Sequence, residues 1–364
     1  MVKNGRRKRR PLRALGIMVA STLVALIAAE LVLRMANLGP APHPVSAGKV
    51  VRDSSDPVLR FEHRPNSARV RVFQQSRNDV PRIALYSIDQ HGFRRPGVEL
   101  QKPPGSFRIA CLGDSFTFGT GLGDHETWPA LLPGMLNEAQ DGPTFEVMNC
   151  GVGGYNTIQE AAYLEQRVLR FEPDLVVCCL YLNDVMIGVK PPPAVVGERT
   201  RFVRRWTRPG RDDWMRSLRR ASVLVDLVCD RLYHAIEASV YTQRHADVFT
   251  GDGEGWQLAR DALLRMRAMT EQAGARFVLL LYPQMVRDGA VLSSHDAYAV
   301  VSEFARAEDI DSLDLESAFL SQPVEDFWVH PTDLHPNAAA NEVAARAVAQ
   351  FLLAGDLLST ASER

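Results

Sequence analysis

Short apolar runs, each closed by glycine, proline or a polar cluster, recur from residue 107 onward and constrain the fold most strongly. Four of them cover residues 107–112, 146–150, 175–182 and 277–282, and a weaker fifth covers residues 310–315. Stretches with helical periodicity, such as residues 256–273 and 338–353, stand between or after these runs. Because strands that alternate with helices form parallel sheets covered on both faces, the pattern predicts an α/β fold.

The N-terminus combines a basic cluster with a long apolar stretch. Residues 1–13 contain seven Lys and Arg side chains and no acidic one, and residues 14–34 are mostly apolar, with Glu30 near the far end. About 20 apolar residues span a bilayer as a helix, and basic flanks stay in the cytoplasm. We therefore expect a basic cytoplasmic tail, a transmembrane anchor over residues 14–34 and a body outside the cytoplasm, in the periplasm of a Gram-negative cell. A cleaved signal peptide is the alternative, but its apolar core is normally shorter.

The charge balance excludes one class of partner. The formal net charge of the chain is −1, but without residues 1–13 it falls to −8. Nucleic-acid binding depends on Lys and Arg side chains that neutralise phosphates, so we expect no nucleic acid as a partner. The membrane, reached through the N-terminal helix, is the expected partner instead.

Two regions depart from the strand and helix alternation. Residues 35–104 contain short alternating stretches, such as residues 68–73, and predict a small membrane-proximal segment of a few strands. Residues 190–250 open with three prolines, carry many arginines and predict an insertion over the active face. The main α/β domain is expected over residues 105–355, around this insertion.

The cysteines do not indicate a metal site. They lack the spacing of metal ligands and are Cys111, Cys150, Cys178, Cys179 and Cys229. Cys178 and Cys179 lie in one apolar run, and successive strand residues face opposite ways, so these two are not expected to bond each other. The sequence implies no metal and no cofactor.

Polar side chains with catalytic chemistry follow the apolar runs. Ser115 follows the first run, a glycine-rich stretch at residues 151–154 follows the second, and Asn183 ends the third. Asp333 and His335 stand just before the last helical stretch. Ligands of parallel sheets bind beyond the carboxyl ends of the strands, so we expect these groups to meet there.

Together these groups could perform acyl transfer, which needs a nucleophile, a base, a group that orients the base, and oxyanion donors. Ser115 can act as nucleophile, His335 as base and Asp333 as the orienting carboxylate. The backbone N–H groups of Ser115 and Gly154, with the side-chain amide of Asn183, can bind the oxyanion. Each residue alone has an ordinary structural interpretation, such as a helix cap or a turn, but their joint occurrence favours a catalytic site.

The same four blocks resemble the SGNH, or GDSL-type, serine hydrolases, a family named for a Ser, a Gly, an Asn and a His. The resemblance covers residues 107–353 and follows the order of the family. It implies a flavodoxin-like three-layer α/β/α fold with a mostly parallel five-stranded sheet, and an esterase or lipase mechanism. By the same resemblance, Ser115 is the nucleophile, Gly154 and Asn183 complete the oxyanion hole, and His335 is the base.

The acid departs from the commonest pattern of the family, in which it stands three residues before the histidine. That position holds Thr332 here, and Asp333 stands two residues before His335. Some branches of the family resemble this Asp-x-His form, so Asp333 is the expected acid and Asp326 the reserve. Residues 88–94 are also similar to a lead-in found in membrane-anchored bacterial members.

The expected function is that of a membrane-anchored serine hydrolase outside the cytoplasm. Its expected substrate is an ester, either an O-acyl group of a cell-envelope glycan or a lipid ester, cleaved through an acyl-enzyme. An acyltransferase would use the same Ser–His site with a sugar hydroxyl as acceptor. A non-catalytic glycan-binding or assembly protein is the third alternative, against which the intact Ser115, Asn183 and His335 argue.

Overall fold

The structure is a computed structural model. It describes residues 9–36, 45–74, 79–139, 142–187, 214–229, 231–232, 253–288, 290–330 and 333–359. The chain divides into two compact units. The smaller one draws on residues 1–42, 74–80 and 193–238, and the larger one on residues 43–73, 81–192 and 239–364.

The elements are numbered in chain order. The strands are β1 (Val45–Ala47), β2 (Val51–Asp53), β3 (Phe61–His63), β4 (Ser67–Phe73), β5 (Arg82–Ile88), β6 (Ser106–Gly113), β7 (Thr144–Gly151), β8 (Leu175–Leu180), β9 (Arg276–Leu281), β10 (Arg287–Asp288), β11 (Val291–Leu292), β12 (Asp311–Asp314), β13 (Trp328–His330) and β14 (Asp333–Pro336). The helices are α1 (Arg9–Met35), α2 (Ser115–Phe118), α3 (Trp128–Ala139), α4 (Thr157–Tyr163), α5 (Trp214–Ala221), α6 (Glu254–Gln272), α7 (His295–Ala307), α8 (Glu316–Phe319) and α9 (Ala338–Ala354). A π-helical turn at Leu164–Val168 extends α4, and 3-10 turns cover Leu169–Phe171, Leu182–Val185 and Val324–Phe327.

A parallel sheet of five strands, in the order β7-β6-β8-β9-β12, lies at the centre of the larger unit. The chain starts this sheet at β6, adds β7 on one side, and then adds β8, β9 and β12 on the other, which is the strand order of flavodoxin-like folds. All residues of β8 are buried, as expected of a strand covered on both faces. The predicted α/β fold with a parallel five-stranded sheet is confirmed.

Helices cover both faces of this sheet because successive strand residues point to opposite sides. Cys178 packs into the core on one face, together with Leu263 of α6. Its neighbour Cys179 packs into the core on the other face, together with Val348 of α9. The two cysteines are free thiols, as the strand pattern predicts.

Short antiparallel strands precede and follow the main sheet. Strands β1, β4 and β5 form one small sheet, β2 pairs with β3, and β13 pairs with β14. Residues 43–73 belong to the same compact unit as the five-stranded sheet, and Arg94 bridges to Asn149 of β7. This unit therefore runs across residue 104, where the sequence predicts the end of a membrane-proximal segment. On β13, the fully buried His330 lies opposite Asp333.

The smaller unit contains the long apolar helix. Within α1, a candidate membrane span of 23 residues covers Arg13–Met35. Its most apolar stretch has a mean hydropathy of 2.2, and no residue of that stretch is buried. Its length and composition fit a membrane anchor or a signal peptide. Of the predicted insertion, the structure describes α5 and a helical stretch at residues 223–229, whereas residues 188–213 and 233–252 lie outside the described chain.

Candidate active site

Ser115 is the first residue of α2 and directly follows a sharp turn at the end of β6. Gly113, the last residue of β6, has a φ of 150°, and a Cβ there would come within 2.8 Å of the Cys179 carbonyl oxygen. The side chain of Asp114 caps α2 by accepting a hydrogen bond from the N–H of Phe116 at 2.8 Å. A glycine and a helix cap thus fix the turn, and the serine is left 8% exposed at the carboxyl end of its strand.

The register of the sheet brings three loops to one edge. Gly113 of β6 pairs with Gly151 of β7 on one side and with Cys179 of β8 on the other. The loops after these three strands therefore start at the same level. Ser115 follows the first of these strand ends, and the loops after the other two carry the remaining predicted oxyanion residues.

Gly154 and Asn183 lie in the two neighbouring loops. Gly154 has a φ of 89°, and a Cβ on the preceding Gly153 would lie 3.6 Å from the Cβ of Ser115. Asn183 lies in the 3-10 turn after β8, where its Oδ1 atom is buried and accepts no hydrogen bond within the described residues. The Gly153–Gly154 loop therefore lies against the serine, and the sheet register starts the loop of Asn183 at the same level, on the other side of β6.

His335 reaches the serine from β14, near the C-terminus. Its Nε2 atom lies 2.9 Å from Oγ of Ser115, and its Nδ1 atom lies 2.5 Å from Oδ1 of Asp333. Two residues after His335, the side chain of Asn337 caps α9. The centre of the Phe116 ring lies 5.4 Å from the centre of the imidazole. The three side chains therefore form a continuous chain of hydrogen bonds.

The second carboxylate oxygen of Asp333 pairs with Arg71 of β4. Burial acts to raise the pKa of Asp333, but the hydrogen bond and charge of His335, together with Arg71, outweigh it and hold the pKa well below its usual range. An ionised carboxylate at Nδ1 leaves Nε2 to accept a proton. The reserve acid, Asp326, is exposed, and Thr332 lies outside the described residues.

The hydroxyl of Ser115 lies between two acceptors. Oδ2 of Asp114 is 3.0 Å from Oγ, and Nε2 of His335 is 2.9 Å away. A hydroxyl has one proton and can donate it to only one of them at a time. Burial raises the pKa of Asp114, against an opposing hydrogen bond from Phe116. When Asp114 is protonated it can donate to Oγ, and the serine proton is then directed to His335.

Two more buried carboxyl groups interact with Asp114. Glu160 of α4 is fully buried, and neither of its oxygens has a hydrogen-bond partner within the described residues. Asp184 accepts a hydrogen bond from the N–H of Tyr181 at 2.7 Å. Burial, reinforced by repulsion from Asp114, raises the pKa of both Glu160 and Asp184 well above the ordinary values. A buried carboxyl group without donors is most stable when it keeps its proton.

Two arginines near the site were not identified from the sequence: Arg71, which pairs with Asp333, and Arg94. Arg94 is fully buried and donates to four main-chain oxygens at the end of α2 and in the loop after it, those of Phe118, Gly119, Leu122 and Gly123. The last three contacts measure 2.7, 2.6 and 3.0 Å. Arg94 ends the lead-in at residues 88–94, but nothing in that motif indicates which loop it holds.

The chain is similar to known hydrolases. A curated arylesterase from Vibrio mimicus is 32% identical over 98 residues, which are 27% of this chain and 48% of that protein. The chain thus spans about half the length of this curated relative. A solved catalytic mutant of an acetylxylan esterase from Geobacillus stearothermophilus shows 16% identity over 69% of this chain and 96% of that chain, with a TM-score of 0.41. An alpha/beta hydrolase enzyme from the metagenome of Lake Arreo in Spain shows 20% identity over 70% and 97% of the two chains, with a TM-score of 0.39.

A family model matches more than half of the chain. The match to GDSL-like lipases and acylhydrolases covers residues 111–343, from the end of β6 into α9. It includes the serine turn, both neighbouring loops and the strand that carries His335. The predicted family is confirmed, whereas its membrane-anchored bacterial branch stays a prediction. The chain belongs to the GDSL-like lipase/acylhydrolase family.

Proposed function

We propose that this protein is a serine ester hydrolase that is anchored in the membrane, acts outside the cytoplasm and works through an acyl-enzyme. The observation that carries the proposal is the hydrogen-bonded chain from Ser115 through His335 to Asp333, with contacts of 2.9 and 2.5 Å. A nucleophile, a base and an acid in this order are what acyl transfer requires. Family membership supports an ester as the substrate.

In the acylation step, Oγ of Ser115 attacks the carbonyl carbon of the ester while Nε2 of His335 takes the hydroxyl proton. The carboxylate of Asp333 stabilises the imidazolium that forms. The negative oxygen of the tetrahedral intermediate is bound by the N–H groups of Ser115 and Gly154 and by the amide of Asn183. His335 then gives its proton to the departing alkoxide, and the acyl group remains on the serine.

In the deacylation step, water takes the place of the departed alcohol. His335 removes a proton from the water, which attacks the acyl carbon. As the bond from that carbon to Oγ of Ser115 breaks, His335 returns the proton to Oγ and the carboxylic acid is released. A sugar hydroxyl at the same position would instead yield a new ester. The acceptor therefore separates hydrolase from acyltransferase, and the same residues serve either outcome.

The smaller unit supports an anchor that is retained. Glu30 of α1 accepts hydrogen bonds from the hydroxyl of Ser222 and from the main-chain N–H groups of Val223 and Leu224, at 2.9, 3.0 and 2.9 Å. These N–H groups begin a helical stretch, so the carboxylate satisfies donors that the helix itself cannot pair. Cleavage of α1 as a signal peptide would leave this helix end without its cap, and the contact therefore favours the anchor.

We propose that the substrate is an O-acyl group of a cell-envelope glycan or a lipid ester. A body held at the outer surface of a membrane by residues 14–34 has direct access to both classes. The similarity to an arylesterase over 98 residues supports ester chemistry without selecting between them.

The experiment uses the detergent-solubilised full chain with esters from acetyl to long acyl, followed by acetylated glycans and lipid esters. Each ester is offered with water alone and with a sugar hydroxyl as acceptor. Release of acid in water alone supports the hydrolase. If turnover requires the sugar acceptor and the acyl groups are found on the sugar, the protein is an acyltransferase and the proposed hydrolase is wrong. No turnover and no labelling by a fluorophosphonate would leave the non-catalytic alternative.

A further inference from the structure

Arg71 joins the N-terminal strands to the proposed catalytic residues. It lies on β4, the central strand of the small sheet β1-β4-β5, where it pairs in register with Ala84 on one side and Ser46 on the other. Its side chain is 12% exposed and pairs with Oδ2 of Asp333. The other oxygen of the same carboxylate faces His335.

We propose that Arg71 is a positioning residue of the active site, which acts through Asp333 and extends the chain Ser115–His335–Asp333 by a fourth member. The inference rests on the proposed function. It implies that a strand outside the matched residues 111–343 is needed for full activity.

The short spacing of the acid explains why such support is needed. Asp333 and His335 are two residues apart on β14, so their side chains lie on the same side of one strand. A carboxylate that approaches the ring from its own strand is not held by a separate element, and rotation of its side chain would take it away from Nδ1. Arg71 supplies the separate element, because its guanidinium is fixed on β4 and holds the oxygen that does not face the ring.

The positive charge of Arg71 also supports a positioning role, because it favours the ionised form of Asp333. The carboxylate of Asp333 is mostly buried, and burial alone would favour its neutral form. The charge and hydrogen bond of Arg71 contribute to keeping it ionised, and only the ionised form can stabilise an imidazolium on His335.

Arg82 of β5 provides a matched control. The guanidinium carbons of Arg71 and Arg82 lie over the same ring, that of Phe73, at 5.9 and 5.7 Å from its centroid. Arg82 pairs with Glu126 at 2.5 Å, away from the proposed triad. Its removal costs the same kind of ring contact and a more exposed ion pair, but leaves Asp333 supported.

The test compares kcat, KM and melting temperature for wild type, Arg71→Met, Arg71→Lys and Arg82→Met on a soluble ester. We expect Arg71→Met to lower kcat by about 10- to 100-fold with KM within about twofold, since the acid is misplaced rather than removed. Arg71→Lys should recover part of the loss, because it restores the charge without the planar geometry. Arg82→Met should keep the wild-type kcat.

A second test combines Arg71→Met with Asp333→Asn in one double variant. If Arg71 acts through Asp333, adding Arg71→Met to Asp333→Asn should lower kcat by less than about threefold further. Wild-type kcat in Arg71→Met, a change confined to KM, or full additivity with Asp333→Asn would each overturn the inference. Should Arg71→Met fail to fold, Arg71→Lys with wild-type kcat and KM at an unchanged melting temperature would overturn it. An inactive, unlabelled wild-type protein would refute the proposed function instead.

Discussion

Asp333 and His335 stand two residues apart on one short strand, and Oδ1 of the carboxylate lies 2.5 Å from Nδ1 of the ring. The opposite ring nitrogen lies 2.9 Å from Oγ of Ser115. An acid placed one residue closer to the histidine than in the commoner family pattern thus still reaches the ring. It does so with its second oxygen paired to Arg71.

Replacing Asp333 by Asn should lower kcat by roughly 10²- to 10⁴-fold, because the ring loses the charge that stabilises its protonated form. His335→Ala should cost more, since it removes the base itself. Steady-state kinetics of both variants on one ester check this order. A larger loss in Asp333→Asn than in His335→Ala would show that the carboxylate has another role.

Replacing Asn183 by Ala should lower kcat by about 10²–10³-fold and leave KM nearly unchanged, because the amide acts on charge that appears only in the transition state. A loss seen in KM alone would make Asn183 a substrate-binding residue. Asn137→Ala is a control for lost stability, since Asn137 accepts the N–H of Phe145 at 3.0 Å outside the site and should keep the wild-type kcat.

Glu160 should make the protein less stable as pH rises. Its pKa in the folded state is raised well above the ordinary value of 4.5 by burial and by Asp114, so the folded chain keeps a proton that the unfolded chain releases. The free energy of unfolding should therefore fall as pH rises above 4.5 and level off once the folded pKa is passed.

The variant Glu160→Gln checks this dependence, because an uncharged amide of similar shape removes the titration. Its free energy of unfolding relative to wild type should increase as pH rises from 5 to 8, by at most about 1.4 kcal/mol per pH unit, and its melting temperature should rise relative to wild type over the same range. Glu165→Gln, which removes an exposed carboxylate paired with Arg265, is the matched control for the loss of a carboxylate. Parallel curves for Glu160→Gln would mean that Glu160 is ionised in the folded state.

The full-length protein should fractionate with membranes, and a reporter fused to its C-terminus should be active only outside the cytoplasm. The reason is the basic cluster of residues 1–13, which stays on the cytoplasmic side of an apolar helix. Paired fusions to an enzyme active only in the periplasm and to one active only in the cytoplasm check the orientation. Activity of the cytoplasmic reporter would show that the C-terminus lies in the cytoplasm and would contradict the proposed orientation.

Much of the fold and of the candidate site could be predicted from the sequence because parallel strands bring their carboxyl ends to one edge. The apolar runs before Ser115 and Asn183 mark two such ends, and the register starts the loops that carry these polar residues at the same level. Arg71 could not be predicted, because its partner is distant in sequence and the alternating pattern of β4 indicates only a strand. Glu160 was also missed, since a carboxyl group in a helix is usually exposed and only tertiary packing buries this one.

Covalent labelling by a fluorophosphonate probe tests most directly whether Ser115 is the nucleophile. The detergent-solubilised wild-type protein should gain one probe per chain, and peptide mass spectrometry should locate it on Ser115. Ser115→Ala should lose labelling and, by several orders of magnitude, ester turnover, with an unchanged melting temperature. A probe found on another residue, or Ser115→Ala that hydrolyses esters at the wild-type rate, would contradict the proposed mechanism.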